Sequence, residues 1–240
     1  MKPKKRHATY DFIVEKLLPF LPRQKANRII DYGCGDASLA YYLPKGFISE
    51  YFGLDINENS IKVARSNHVA RNFHFYHVRD KRVYPFSRIV KNADLVISIG
   101  VLQYLEREQI LVFLKNSYSS LKPGGYLIVS TSVNHAVYRF LDLYRFLLPH
   151  RFVDRVEILD TIQKAGFDLC FVQERGLLLS PILMNFMSLF FDSIDKILFR
   201  NKGRLGPIGR KYREFASYLV SLEYNISIDY GYTLYIVARR

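Results

Sequence analysis

Tryptophan is absent from the 240 residues, and cysteine occurs only twice, at Cys34 and Cys170. Two cysteines make neither a zinc site nor a disulfide framework; no metal is expected, and a reducing, cytoplasmic setting fits. Long apolar runs are missing too. The longest, Gly176 to Phe191, is broken by Ser180, Pro181, Asn185 and Ser188, which leaves it too short and too interrupted for a good transmembrane helix. The basic start, Lys2, Lys4, Lys5 and Arg6, is followed by no continuous apolar segment, because Glu15, Lys16, Pro19 and Pro22 interrupt it. No signal peptide is expected. Internal repeats and low-complexity linkers are also lacking.

Acidic residues are scarce relative to basic ones, 22 against 35, for a formal net charge of +13. Between Lys196 and Arg213 there is no acid at all, while Lys196, Arg200, Lys202, Arg204, Arg210, Lys211 and Arg213 concentrate the charge. Such a segment attracts anions: phosphate of nucleic acid, an anionic membrane surface or an acidic substrate. A solvated basic surface is the plain alternative. Hydrophobic residues are 49% and charged residues 24% of the chain, which excludes disorder and suits one large α/β domain over residues 1–240 rather than two small ones. The 18 Tyr and 18 Phe serve a core or an aromatic-lined pocket.

From Arg28 to Asp168 short β-rich runs alternate with helix-like segments, the pattern of a parallel sheet covered on both faces. The spacing predicts strands at Arg28–Tyr32, Tyr51–Asp55, Phe73–Val78, Leu95–Ser98 and Tyr126–Thr131, with helices at Leu39–Leu43, Ser60–Asn67 and Glu108–Leu121. Phe12, Ile13, Leu17 and Leu18 predict a helical cap within residues 1–25. Asp154 to Ala165 reads as a helix that Gly166 ends, and Asp168–Glu174 and Thr233–Ala238 as two further strands. Lys122-Pro123-Gly124-Gly125 is a turn feeding a strand.

An insert of about residues 181–225 separates the last two strands. Its first part, Ile182–Arg200, is apolar with a polar stripe at Asn185, Ser188, Asp192 and Asp195. Its second part sets Ile208, Tyr212, Phe215, Leu219 and Leu222 on one face by steps of four and three. Two helices are expected, since so long a structureless loop is unusual in a compact domain.

The sharpest chemical signal is Ile29-Ile30-Asp31-Tyr32-Gly33-Cys34-Gly35-Asp36-Ala37, a buried strand running into a glycine turn. Gly33 and Gly35, on either side of Cys34, lack a Cβ and let backbone approach a ligand. Asp55 closes the next strand about 20 residues on, where an acid accepts hydrogen bonds from ribose hydroxyls. That pairing marks an adenosine site and serves NAD equally well. Asp80 follows the third strand, and Ser98-Ile99-Gly100 carries the fourth into a small-residue turn.

In this order the motifs resemble the class I S-adenosylmethionine (AdoMet) dependent methyltransferases, over roughly residues 25–175 plus the last strand. The resemblance assigns Asp31, Gly33 and Gly35 to the family's first motif, with Ala37 in place of a usual third glycine. It makes Asp55 the ribose-binding acid with Ile56 against the adenine, Asp80 the adenine-facing acid, and Ser98, Ile99 and Gly100 the loop under the methionine part. It implies a Rossmann-like, mostly parallel seven-stranded sheet whose last strand, Thr233–Ala238, is antiparallel and lies beside the fifth. It also implies methyl transfer that leaves S-adenosylhomocysteine as product.

Substrate in such a sheet sits beyond the carboxyl ends of the strands. His135, after the fifth strand, is the first candidate for a general base, with Tyr104 and Tyr10 behind it. The apolar and basic insert favours a small hydrophobic or aromatic acceptor, such as a quinone precursor, and offers residues 182–213 for peripheral contact with an anionic membrane. Three rivals stand beside this reading. A dinucleotide oxidoreductase would want Gly-X-Gly-X-X-Gly, where Asp36, Ala37 and Ser38 follow Gly35 here; an RNA methyltransferase would use the basic surface; a binding protein would keep the fold without turnover.

Overall fold

Ile29 and Ile30 are adjacent and both fully buried, yet they belong to different hydrophobic cores. Successive strand residues point to opposite faces, so a run without polar interruption demands cover on both sides. The computed structural model describes residues 7–22, 27–78, 84–141, 151–177, 179, 182–183, 190–191, 194, 207–226 and 229–240. Its strands are β1 (Asn27–Tyr32), β2 (Ile48–Asp55), β3 (Phe73–His77), β4 (Ala93–Ile99), β5 (Leu121–Ser132), β6 (Asp168–Arg175) and β7 (Thr233–Arg239). Its helices are α1 (Ala8–Phe12), α2 (Glu58–Asn67), α3 (Arg107–Ser120), α4 (Ala136–Leu141), α5 (Arg155–Lys164) and α6 (Pro207–Tyr224).

The strands form one sheet in the order β3-β2-β1-β4-β5-β7-β6. β1 to β5 pair in parallel, and β7 runs antiparallel between β5 and β6. This is the fold class expected from the sequence, reversed last strand included. α3 and α5 cover one face through Phe113, Leu114, Ile158 and Ile162, against Ile30, Leu54, Val96 and Leu127. On the other face Phe12, Ile61, Ala64, Val220 and Tyr224 of α1, α2 and α6 pack on Ile29, Tyr51, Leu95 and Ile128. The strand order reverses between β1 and β4, and at such a switch point the flanking loops part to leave a crevice.

Local signals set the element ends. Glu106 and Gln109 form a capping box that starts α3 at Arg107. Asp154 caps α5, its Oδ1 accepting from the Glu157 N–H at 3.0 Å, and Gly166 closes the helix at φ +99°. Lys122 to Gly125 bulge out of the ladder, because Ala93 faces Leu121 while Leu95 faces Tyr126.

One expectation needs correction. The helix expected at Leu39–Leu43 is a single 3-10 turn, Ser38–Tyr41. Ala37 enters it in the left-handed region and Pro44 disfavours helical backbone at the residue before it. The helix expected over the second part of the insert is α6, and its stripe Ile208, Tyr212, Phe215, Leu219 and Leu222 is not its most buried face. Ala216, Ser217, Val220 and Tyr224 are buried instead, while Phe215 and Leu222 are exposed. Small residues let α6 approach the N-terminal helix closely: the Ala8 N–H donates to Ser217 Oγ at 3.2 Å and Phe12 meets Tyr224 edge-on. Of the larger stripe, Tyr212 stacks on Phe191 in the first part of the insert at 4.3 Å. Most of Ile182–Arg200, and with it most of the basic segment expected to touch a membrane, lies outside the described residues. Among the described residues no helix is long and apolar enough to cross a membrane.

A Cβ at position 166 would meet Tyr118 Cε2 at 2.9 Å in a backbone conformation that disfavours one. Gly166→Ala is expected to cost about 1–3 kcal/mol. In thermal denaturation it should lower Tm by roughly 2–4 °C per kcal/mol.

Candidate active site

The glycine turn after β1 is fastened to the end of β2 by backbone. The N–H groups of Gly33 and Cys34 both donate to the Leu54 carbonyl, at 2.7 and 3.0 Å, and the Gly35 N–H donates to Asp55 Oδ2 at 2.8 Å. Parallel pairing of Tyr32 with Leu54 brings these groups level. Gly33 and Gly35 sit at φ +81° and +55°, and Ala37 takes φ +59° where the resemblance expects glycine. Ala37 is fully buried, so its methyl fills space that a glycine would leave.

Asp55 holds its other oxygen, Oδ1, to the Asn57 N–H at 2.7 Å. Each carboxylate oxygen has one backbone partner and keeps a second lone pair. Beside it Ile56 is 53% exposed, an apolar side chain at the mouth of the crevice. Across the crevice Gly100 follows β4 at φ +68°, its N–H shared between the Ser130 carbonyl and hydroxyl. A Cβ built on Gly35 or on Gly100 meets nothing within 4 Å, whereas one on Gly33 would lie 2.2 Å from Val101 Cγ2. Gly33 therefore seals the floor, and Gly35 and Gly100 are open walls. An adenosine fits this arrangement: open backbone, an acid with spare lone pairs and an apolar side chain without cover. Ser98 is different. It is fully buried and its hydroxyl donates to the Tyr32 carbonyl at 2.8 Å, tying β4 to β1. Asp80 lies outside the described residues.

Below the turn lies a buried acid. Asp31 is 3% exposed, and burial raises its pKa from 3.8 to about 7; the hydrogen bond donated by Tyr51 opposes this and the charge of Asp55 adds to it. Burial, with Asp31 and Asp55 nearby, also pushes the Cys34 thiol up, so it is no nucleophile at neutral pH. Tyr10, packed on His7 and Tyr42, is raised by burial and by the carboxylates of Asp31 and Asp36. A phenol held so firmly protonated is a poor base, which removes Tyr10 from that role. Tyr104 ends the 3-10 turn Leu102–Tyr104 after β4 and is half exposed.

His135 follows β5, on the same side of the sheet as the crevice. The post-β4 loop is tied to the end of β5 by Gln103, whose Oε1 accepts from the Ser132 N–H at 3.3 Å; His135 stands three residues further on. Its Nε2 lies 2.8 Å from Glu174 Oε2, at the end of β6. Glu174 carried no functional weight in the sequence, although it is an acid closing a strand, the signal that singled out Asp55. Arg155 and Asp229 complete the group: Arg155 Nη1 donates to Glu174 Oε1 at 3.1 Å and Nη2 to Asp229 Oδ2 at 3.0 Å. A separate shallow cleft between α3 and α5, lined by Leu105, Ile110, Phe152 and Ile158, includes none of the glycine turn.

The two glycines separate stability from binding. Gly33→Ala should cost about 2–4 kcal/mol of stability through clash and strain. Gly35→Ala should cost only about 1–2 kcal/mol in strain while weakening AdoMet binding, as chemical denaturation and calorimetry will show. Asp31 generates a pH prediction. The native carboxyl keeps a proton that the unfolded chain releases between the usual 3.8 and about 7. Its contribution is therefore full below 3.8 and lost as pH rises to about 7. Urea unfolding of the native chain and of Asp31→Asn should show a stability difference that declines across this window.

Comparison with known proteins agrees with this geometry. Residues 4–170 match the family described as "Methyltransferase domain". A search of curated proteins finds no match. Among solved structures, an S-adenosylmethionine dependent methyltransferase from Mesorhizobium loti is 17% identical with a TM-score of 0.58, over 93% of this chain and 95% of that one. The cyclopropane synthase MmaA2 from Mycobacterium tuberculosis is 15% identical with a TM-score of 0.63, over 97% and 83%. Magnesium protoporphyrin IX methyltransferase from Synechocystis, solved with bound S-adenosylhomocysteine, is 17% identical with a TM-score of 0.56, over 97% and 81%. With a family match over well more than half its length and the sheet order and switch-point crevice described above, the chain belongs to the AdoMet-dependent methyltransferases of class I fold.

Proposed function

We propose that the enzyme transfers the methyl group of AdoMet to a small, hydrophobic or aromatic acceptor, with Asp55 clasping the ribose. The observation that carries this reading is the Gly35–Asp55 contact at 2.8 Å beside the open space before Gly35 and Gly100. Gly33, Cys34 and Gly35 then supply the backbone wall, Ile56 covers the adenine, and Asp31 and the Ser98–Gly100 segment border the methionine end. AdoMet brings a methyl on a sulfonium, already an able leaving group. The work left to the protein is positioning and water exclusion. His135 takes the acceptor's proton where one must leave.

The glycine turn itself argues against a dinucleotide. Its first three N–H groups are spent on Leu54 and Asp55, and a single 3-10 turn follows in place of a helix N-terminus aimed at a pyrophosphate. Relatives of this fold named for a cyclopropane synthase and for magnesium protoporphyrin IX support a hydrophobic acceptor over RNA. Intact Gly33, Gly35 and Asp55 favour turnover over mere binding.

Isothermal titration tests the reading. AdoMet and S-adenosylhomocysteine should bind the native chain, and Asp55→Ala should weaken both by roughly 10–100-fold, the value of hydrogen bonds to a charged group. Tight NADH binding with no AdoMet binding would contradict it.

A further inference from the structure

Building on His135 as the base, we propose that Glu174 is its positioning residue and that the acceptor group is the hydroxyl of an aromatic ring. Glu174 is 1% exposed, and two fixed donors hold its carboxylate. Oε1 accepts from Arg155 Nη1 at 3.1 Å; Oε2 accepts from the Gly231 N–H at 3.0 Å and faces His135 Nε2 at 2.8 Å. A carboxylate can only accept, so a hydrogen bond from His135 to it puts an imidazole proton on Nε2. The lone pair of the neutral ring is thereby fixed on Nδ1. The imidazole is 26% exposed, at the carboxyl edge of the sheet where the acceptor must lie. Asp229 braces the arrangement from behind, accepting from both Arg155 and the Glu174 N–H.

The surroundings select the acceptor. Tyr230 lies on the His135 ring at 4.4 Å between centroids, 34° from parallel, and is 40% exposed. Tyr138 meets His135 edge-on at 5.7 Å and is buried, and Tyr232 stands against Tyr138 at 90°. These rings pack on one another and on the imidazole, and the surface left open by Tyr230 and His135, aromatic with one polar group, suits a flat ring. A neutral amine attacks without a base; a phenol, at about 10, is a much stronger acid than an aliphatic alcohol and gives its proton to an imidazole more readily. As the phenolic oxygen forms its bond to the methyl carbon, its proton passes to Nδ1. The carbon–sulfur bond breaks with its electron pair left on sulfur, and the imidazolium then returns its proton to water.

Two measurements on the full chain test this. Nitrogen-15 NMR of histidine-labelled protein saturated with S-adenosylhomocysteine, with His135 assigned by His135→Gln, should show the Nε2–H form. Methyl transfer to 4-propylphenol and 1-naphthol should yield the methyl ethers by mass spectrometry. Glu174→Gln should lower kcat at least about tenfold with the KM for AdoMet within about twofold, and Glu174→Asp should restore most of it. An Nδ1–H form in the native protein would overturn the proposal, independently of how any variant folds. So would absence of both ethers from protein that binds S-adenosylhomocysteine, or a Glu174→Gln variant whose only change is a lower Tm. Failure to bind S-adenosylhomocysteine would instead overturn the AdoMet reading beneath it.

Discussion

The site hangs on the backbone lock between the tips of β1 and β2. Leu54 offers one carbonyl to two successive N–H groups, and Asp55 offers one carboxylate oxygen to the third. These bonds satisfy the turn internally, so no phosphate is needed to complete it. They also leave the outer face of Gly35 bare and the remaining lone pairs of Asp55 pointed away from the protein's own donors. A sugar with two vicinal hydroxyls answers that geometry. Because the lock belongs to main chain at the centre of the sheet, it is rigid, and rigidity is what a reaction governed by positioning requires.

What the sequence made readable was local. Ile29-Ile30 announced a strand buried on both faces, and Gly33, Gly35 and Asp55 announced themselves by spacing. Gly166 and Asp154 marked the ends of α5 because capping depends on the nearest few residues. Ala37 shows where a local rule bends. Its left-handed backbone wants glycine, yet its buried methyl has packing value, and the chain carries the strain.

The features that stayed hidden depend on contacts distant in sequence. His135 and Glu174 are 39 positions apart, and Arg155 and Asp229 are 74 apart. His135 and Glu174 stand at strand ends and are legible singly, but nothing in their immediate neighbourhoods pairs them. The orientation of α6 was open in the sequence for a related reason. Periodicity identified its apolar stripe correctly but could not say which of two neighbours the stripe would face, and the smaller residues took the tighter contact with α1. The Asp31–Tyr51 pair likewise emerges only when β1 and β2 lie side by side.

Two acids at neighbouring strand positions thus have separate characters. Asp31 lies under the turn, desolvated and reluctant to ionise; Asp55 lies at the rim, half-buried, with two backbone donors about it. The clasp between the rim acid and a ribose is the central claim, and a ligand-variant cycle tests it most directly. Calorimetry would compare S-adenosylhomocysteine with its 2′,3′-dideoxy analogue on the native chain and on Asp55→Ala. The expected result is a tenfold or greater preference for the intact ribose that disappears when Asp55 is replaced. An equal preference in both proteins would contradict it, because the sugar would then be held by something else.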